Sequence, residues 1–289
     1  MGSRRRPQQK QKHAPNAAVA ARRARISDLI GTIRPLTARS VLATALLGAS
    51  EPRLQVSELI SAASLFGIGS GATRTCLSRM AANGELVSDN GSYALSGHLI
   101  ERRGRIDEAA RRTESVSRQW DGSWDISVVL LERRAAVDRL ELRKAAKALH
   151  LAEIREGVWT RPANLDPERV PKLRAVLDEQ CVHFRGARSD ITVEGARSLF
   201  SIEEWSRDAK RLIRAMEDEI DASRAAVDDT KAMLTYQFVL SIAAVRHLQL
   251  DPLLPPALLP ADWPAATLRS TYRRLDETFQ GNMIRALQR

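Results

Sequence analysis

Residues 56–95, VSELISAASLFGIGSGATRTCLSRMAANGELVSDNGSYAL, decide how this chain is read. Leu59, Ile60 and Ala63 recur at helical spacing and give a first helix one apolar face. Gly67-Ile68-Gly69 breaks that pattern, because glycine takes turn backbone angles at no steric cost. A second helix follows, with Thr73, Cys76, Leu77 and Met80 on one side and Gly71, Arg74, Thr75, Ser78 and Arg79 on the other. Gly84 ends it, and Asn90-Gly91 marks a hairpin between Leu86-Val87 and Tyr93-Ala94-Leu95. Helix, glycine turn, helix and hairpin is the layout of a winged helix-turn-helix, whose second helix enters the DNA major groove. The predicted DNA contacts are Ser70, Arg74, Thr75, Ser78 and Arg79, with Asn90 at the hairpin tip. Helical hairpins with a glycine turn also occur in all-α proteins that never touch DNA. Here the hairpin and the small, hydroxyl-bearing and cationic face favour DNA. GIGSGA also brushes the dinucleotide fingerprint, but a helix precedes it and the third glycine is missing.

Outward from this stretch, residues 35–48 read as a further helix, with Val41, Leu42, Ala45 and Leu46 inward and Gly48 as its stop. The formal charge is +10. Arg4, Arg5, Arg6, Lys10, Lys12, Arg22, Arg23 and Arg25 fall in the first 25 residues, with no acid among them. Most of the net charge is therefore a tail. Residues 1–30 are expected to be a disordered basic arm, which either adds phosphate contacts or is a tolerated solvated extension. The tail lacks the apolar core of a secretory signal, and no segment approaches the ~20 apolar residues of a membrane span. The expectation is a cytoplasmic protein that does not meet a membrane. Cys76 and Cys181 lie far apart and read as reduced core thiols.

The expected divisions are 31–97 for the winged helix-turn-helix domain, 98–118 for a charged, solvent-facing helical connector, 119–194 for a middle domain and 195–289 for a helical C-terminal domain. In the middle domain Ile126–Leu131 is β-branched and bounded, hence a buried strand. Residues 133–149 read as a helix to which Val137, Leu140, Leu142, Ala145, Ala148 and Leu149 give apolar surface. Extended segments at Ala152–Arg155 and Gly157–Thr160, an interruption at Pro162, a helix at 167–179 and a strand at Cys181–Arg185 complete it. Strand, helix, strand, strand, helix, strand is the order of the ferredoxin-like fold. The C-terminal part carries amphipathic helices at 202–221 and 229–248 and a last helix at 265–287. Between them, five prolines from Pro252 to Pro264 alternate with leucines and Trp263, which reads as a packed, rigid cover.

The ordered pieces TARSVLATALLG (37–48), GIGSGATRTCLSRMAANGEL (67–86), YALSGHLIERRGRI (93–106), WDGSWDISVVLLERR (120–134), EIREGVWTRPANL (153–165) and VRHLQLDPLLPPALLPADWP (245–264) resemble the PaaX family of transcriptional repressors, which control phenylacetic acid and related aromatic catabolism. The resemblance spreads over about 250 positions, and the 245–264 piece is its most specific part. It implies an α+β chain with an N-terminal winged helix-turn-helix, a central ferredoxin-like, Cas2-like domain and a helical C-terminal domain. It further implies a homodimer that binds double-stranded operator DNA and is released by an acyl-CoA effector, phenylacetyl-CoA in the founding members. Such an effector needs cations for its phosphates and an apolar slot for its acyl group. Arg246, His247 and Trp263 combine those properties in the family-specific segment, and Arg102, Arg103 and Arg105 could flank either DNA or the ligand's phosphates. The competing reading pairs Arg246 with Asp251 and buries Trp263. The sequence Ser88-Asp89-Asn90-Gly91-Ser92 departs from the basic wing usual in the family, and Asp89 would repel phosphate.

No catalytic constellation, metal-ligand spacing or cofactor motif emerges, so neither an enzyme nor a bound cofactor is expected. The Cas2-like part raises the alternative of a metal-dependent nuclease acting through carboxylates near its first strand. Here that strand offers Asp125 at its start and Glu132 beside arginines, and Glu132 reads as a surface ion pair. A third reading is a DNA-binding protein with no effector.

Overall fold

Thr37 starts the first helix of the computed structural model, which describes residues 37–49, 51–111, 119–130, 135–166, 170–224 and 230–287. The basic arm and Glu132 lie outside them. Among the described residues the chain is α+β, with ten α-helices and two small antiparallel sheets.

The Thr37 hydroxyl accepts from the Ser40 N–H, and the Ser40 hydroxyl accepts from the Thr37 N–H, a reciprocal cap for α1 (Ala38–Gly48). Next come β1 (Arg53–Gln55), α2 (Val56–Leu65), α3 (Ser70–Ala82), β2 (Leu86–Asp89) and β3 (Ser92–Leu95). The sheet order is β1-β3-β2, so the expected hairpin gains a third strand that the sequence pattern did not reveal. Leu42, Leu46, Leu59, Ala63, Leu77 and Met80 close the helices over Leu86 and Leu95. Gly97 is required where it stands: its φ is +51°, and a Cβ there would lie 2.7 Å from the Gly84 carbonyl oxygen.

α4 (His98–Arg111) corrects the expectation of a solvent-facing connector. Leu99 is fully buried in the core just described, and Ile106 packs against that core. Leu99, Arg103 and Ile106 stand at i, i+4 and i+7 and share the inward face, while Ile100 is 56% exposed. Arg103 donates to the Leu46 carbonyl at 3.2 Å, and Lys172 reaches Glu101 at 2.7 Å.

The second sheet is built from β4 (Trp124–Val129), β5 (Ala152–Arg155), β6 (Val158–Pro162) and β7 (Cys181–Ala187), in the order β5-β6-β4-β7 and antiparallel throughout. Helices α5 (Ala136–Ala148) and α6 (Pro171–Gln180) join its strands. Leu142, Ala146, Leu149 and Leu177 pack with Trp159 and Cys181. Val137 and Leu140 do not join this core; they are 57% and 53% exposed. They precede Leu142 by five and two residues, which places them on the far side of α5. Pro162 is the last residue of β6, opposite Trp124, and does not interrupt the sheet.

Helices α7 (Val193–Leu199), α8 (Ile202–Arg224), α9 (Thr230–Gln249) and α10 (Ala265–Leu287) form the remainder. Leu212, Met216, Leu240, Ala244, Leu268 and Leu275 belong to the core that α8, α9 and α10 share. The proline-rich segment sends Leu254 and Leu258 into a cluster with Trp124, Ala196 and Ile202. Arg161, 4% exposed, ties this segment to the second sheet. It donates to the carbonyls of Leu149, His150, Pro162 and Leu253 and to the Asn164 side chain. Leu253 holds a left-handed backbone, at φ 57°. Asp251 pairs with Arg269 rather than with Arg246.

Candidate nucleic-acid interface and ligand cavity

Gly69 precedes α3 in extended backbone, and Thr73 turns its hydroxyl back to the Gly69 carbonyl at 3.0 Å. Thr73, Leu77 and Met80 are buried, and Cys76 is half-buried. Burial pushes the Cys76 thiol up, as befits a packed thiol rather than a nucleophile. The remaining surface carries Ser70, Gly71, Arg74, Thr75, Ser78 and Arg79, all exposed. Neither Arg74 nor Arg79 has an ion-pair partner among the described residues. The Thr75 and Ser78 hydroxyls donate to the carbonyls of Gly71 and Arg74, which leaves their lone pairs facing outward. The result is a helix face with two unpaired cations and no acid.

Two ion pairs fix the surroundings of this face. Arg39 of α1 grips Glu85, just past α3, through Nη2 at 2.7 Å and Nε at 3.0 Å. That hydrogen bond holds the Glu85 carboxyl below its ordinary range against the opposing effect of burial. At the hairpin, Asn90 and Gly91 both have positive φ, at 44° and 77°, as a tight two-residue turn demands. Asn90 is exposed. Asp89 is not a bare charge: Arg53 Nη1 lies 2.9 Å from its carboxylate and also bonds the Ser92 hydroxyl. The third strand thus offsets the acid at the hairpin tip.

Behind the helices lies a cavity of about 760 Å³, walled by α1 and α2 on one side and by α9 and α10 on the other, with Arg102 and Ile106 of α4 beside them. Phe66, Ile242, Val245 and Met283 give it apolar walls, and Arg246 lines it from α9. Asp276 of α10 is the acid on the C-terminal wall. Burial and then the Glu277 charge push its carboxyl up, against a hydrogen bond with Gln280. A mostly apolar space of this size with a few polar groups suits one small organic ligand.

The predicted effector residues separate. Arg102 and Arg246 share the cavity, whereas Arg103 is turned to Leu46, and the Arg105 side chain is outside the described residues. His247 and Trp263 both stack on Trp205, at 4.5 and 4.4 Å between rings. The Trp205 indole N–H donates to the His247 carbonyl, and burial pushes the His247 ring down, toward its neutral form. These two rings hold α8, α9 and the proline-rich segment together. Sequence reasoning missed Phe66, Phe238 and Phe279, which line the cavity, because apolar residues at helical spacing read as ordinary core.

Ser127, His183 and Asp178 have the residue types of a hydrolytic triad. Ser127 is 3% exposed within the sheet, and it meets His183 Nδ1 at 2.9 Å while Asp178 sits 2.8 Å from Nε2, off the ring N–H direction. The three link β4, β7 and α6 as packing. Among the described residues no three His, Cys, Asp or Glu side chains are grouped to hold a metal, and no helix is long and apolar enough to cross a membrane.

A family model described as PaaX-like protein matches residues 37–99, and one described as PaaX-like protein C-terminal domain matches residues 200–288. The chain belongs to the PaaX-like family. Among solved structures it is similar to the uncharacterized protein Rv0674 from Mycobacterium tuberculosis, at 35% identity and a TM-score of 0.65, over 88% of this chain and 99% of that one. No curated protein matches it. The two PaaX-like matches span the two main walls of the cavity, α1 and α2 in the first and α9 and α10 in the second.

Proposed function

We propose that this PaaX-like protein is a dimeric DNA-binding transcriptional regulator, a repressor released from its operator by an acyl-CoA. Residues 31–97 serve as a winged helix-turn-helix, 119–194 as a ferredoxin-like, Cas2-like domain and 195–289 as the helical C-terminal domain. The observation that carries this reading is the exposed face of α3, where Ser70, Arg74, Thr75, Ser78 and Arg79 stand free of acids beside a hairpin. Arginine can read guanine in the major groove bidentately, and hydroxyls can accept or donate at either base. The sheet order β5-β6-β4-β7 supports the ferredoxin-like reading of the middle.

A single such helix reads only a few base pairs, so specificity calls for two half-sites and two copies. The open face of the second sheet suits a second copy: Ile126 pairs with Phe184 and Val128 with Val182, and Phe184 is 54% exposed. The cavity suits the acyl end of the effector, with its phosphates outside near Arg246.

With operator DNA in an anisotropy titration, Arg74→Ala should weaken binding by ~1–3 kcal/mol and relax specificity at one base pair. Unchanged affinity would overturn the assignment of α3. Phenylacetyl-CoA, or another aromatic or steroid-derived CoA thioester, should release the wild-type protein, while free CoA and the free acid should not. Arg246→Ala should keep DNA binding and lose that response.

A further inference from the structure

Phe66 is the C-cap that follows α2 and opens the turn into α3. Its ring packs 5.2 Å from Phe238 of α9, whose ring lies 6.3 Å from Phe279 of α10. All three rings line the cavity. The turn itself is tight: Gly67 has φ 76°, and the Phe66, Gly67 and Ile68 N–H groups bond back to Ala63 and Ser64. Leu65, Phe66 and Ile68 pack on the cluster of Val41, Leu234, Phe238 and Phe279, while Ile68 also belongs to the core under α3. The α2–α3 turn therefore stands with one side in the cavity wall and the other in the core that seats α3.

We propose that Phe66, Phe238 and Phe279 are the coupling element of this protein: an apolar group seated in the cavity repacks Phe66, shifts the α2–α3 turn and so alters how α3 meets DNA. This rests on the reading of α3 as the DNA-contacting helix. The physical ground is that a ligand moves an equilibrium only by touching something that differs between its states. A close-packed interior passes a displacement on rather than absorbing it. The α4 wall of the cavity is tied to α1 through Arg103 and to α6 through Lys172 and Glu101, whereas the Phe66 wall leads straight into the turn that starts α3. The occupant this geometry favours carries a flat apolar ring, which can stack on the three phenyl side chains that share that end of the space.

The test fills the cavity after folding and needs no identified ligand. Ser241 lines the cavity from α9 and is half-buried. In the full-length Cys76→Ser, Ser241→Cys protein, benzyl methanethiosulfonate attaches a phenyl plug as a disulfide, confirmed by mass, and dithiothreitol removes it. Cys181 is buried and serves as the unlabelled control. Plugging should change amide hydrogen exchange at residues 66–69 and weaken operator binding roughly tenfold, within the range of allosteric couplings. Both effects should reverse on reduction, and Phe66→Ala should abolish the loss of affinity. Full plugging with no change in exchange at 66–69 would overturn the coupling, whatever the DNA result. Changed exchange with unchanged operator affinity would also overturn the coupling if Arg74→Ala weakens operator binding, and would overturn the assignment of α3 to DNA if Arg74→Ala does not. A plug that works where phenylacetyl-CoA fails would confirm the coupling and show that the natural effector is another compound.

Discussion

Glu85→Gln tests whether the Arg39–Glu85 pair holds α3 in place. Glu85 is 10% exposed at its side chain and Arg39 49%. Glutamine keeps the shape, removes the charge and turns one of the two acceptors into a donor facing the guanidinium. One charge-assisted hydrogen bond is lost and the other keeps only a neutral acceptor, where a bond to a charged group is worth ~1.5–3 kcal/mol in favourable cases. Arg39 is half in water and can turn to solvent, so the sum is discounted to about 1–2 kcal/mol. That corresponds to a factor of roughly 5–30 in a local opening equilibrium. Hydrogen exchange in peptides spanning 70–82 of the full-length protein should show this loss of protection at pH 7. The pair also carries a pH signature. Because Arg39 lowers the Glu85 carboxyl in the folded state, its stabilisation is complete above the ordinary carboxylate value of about 4.3 and fades as pH falls through the folded value. Glutamine does not titrate, so the gap between wild type and variant should narrow below about pH 4. Equal protection at pH 7, or a gap that ignores pH, would refute the reasoning.

Arg161→Met takes the buried guanidinium from the Leu149 and His150 carbonyls and the Asn164 side chain, while the Pro162 and Leu253 carbonyls keep N–H donors from Asn164, so melting should fall by roughly 5–10 °C in calorimetry; an unchanged transition would mean that the network does not contribute to stability. Phe184→Asp places a charge on the open sheet face, and light scattering should drop from twice the chain mass to 32.1 kDa; a dimer that survives would move the interface to another surface.

Periodicity made the helices legible. The polar face of α3 stands out because Thr73, Leu77 and Met80 repeat at helical spacing against it, and Asn90-Gly91 fixes the hairpin. β1 escaped because three residues, Arg53–Gln55, form a strand only by pairing with β3, a contact no local pattern encodes. Val137 and Leu140 misled for the opposite reason: their type is apolar, but the phase of α5 is set by Leu142, Ala145 and Ala146. The cavity was half legible. Arg102 and Arg246 stood out as cations in family-like segments, whereas Phe66, Phe238 and Phe279 are far apart in sequence and meet only once α9 and α10 pack on the α2–α3 turn. His247 and Trp263 drew attention by residue type, and their partner Trp205 could not be known without the fold.

The most direct test of the central claim is selection of bound sequences from a random double-stranded DNA pool by the full-length protein, run in parallel with Arg74→Ala/Arg79→Ala. The account predicts that the wild type enriches a two-fold symmetric motif with half-sites about one helical turn, ~34–36 Å, apart, and that the variant loses it while keeping weak non-specific binding. Failure to enrich any motif, or the same motif from both proteins, would contradict it.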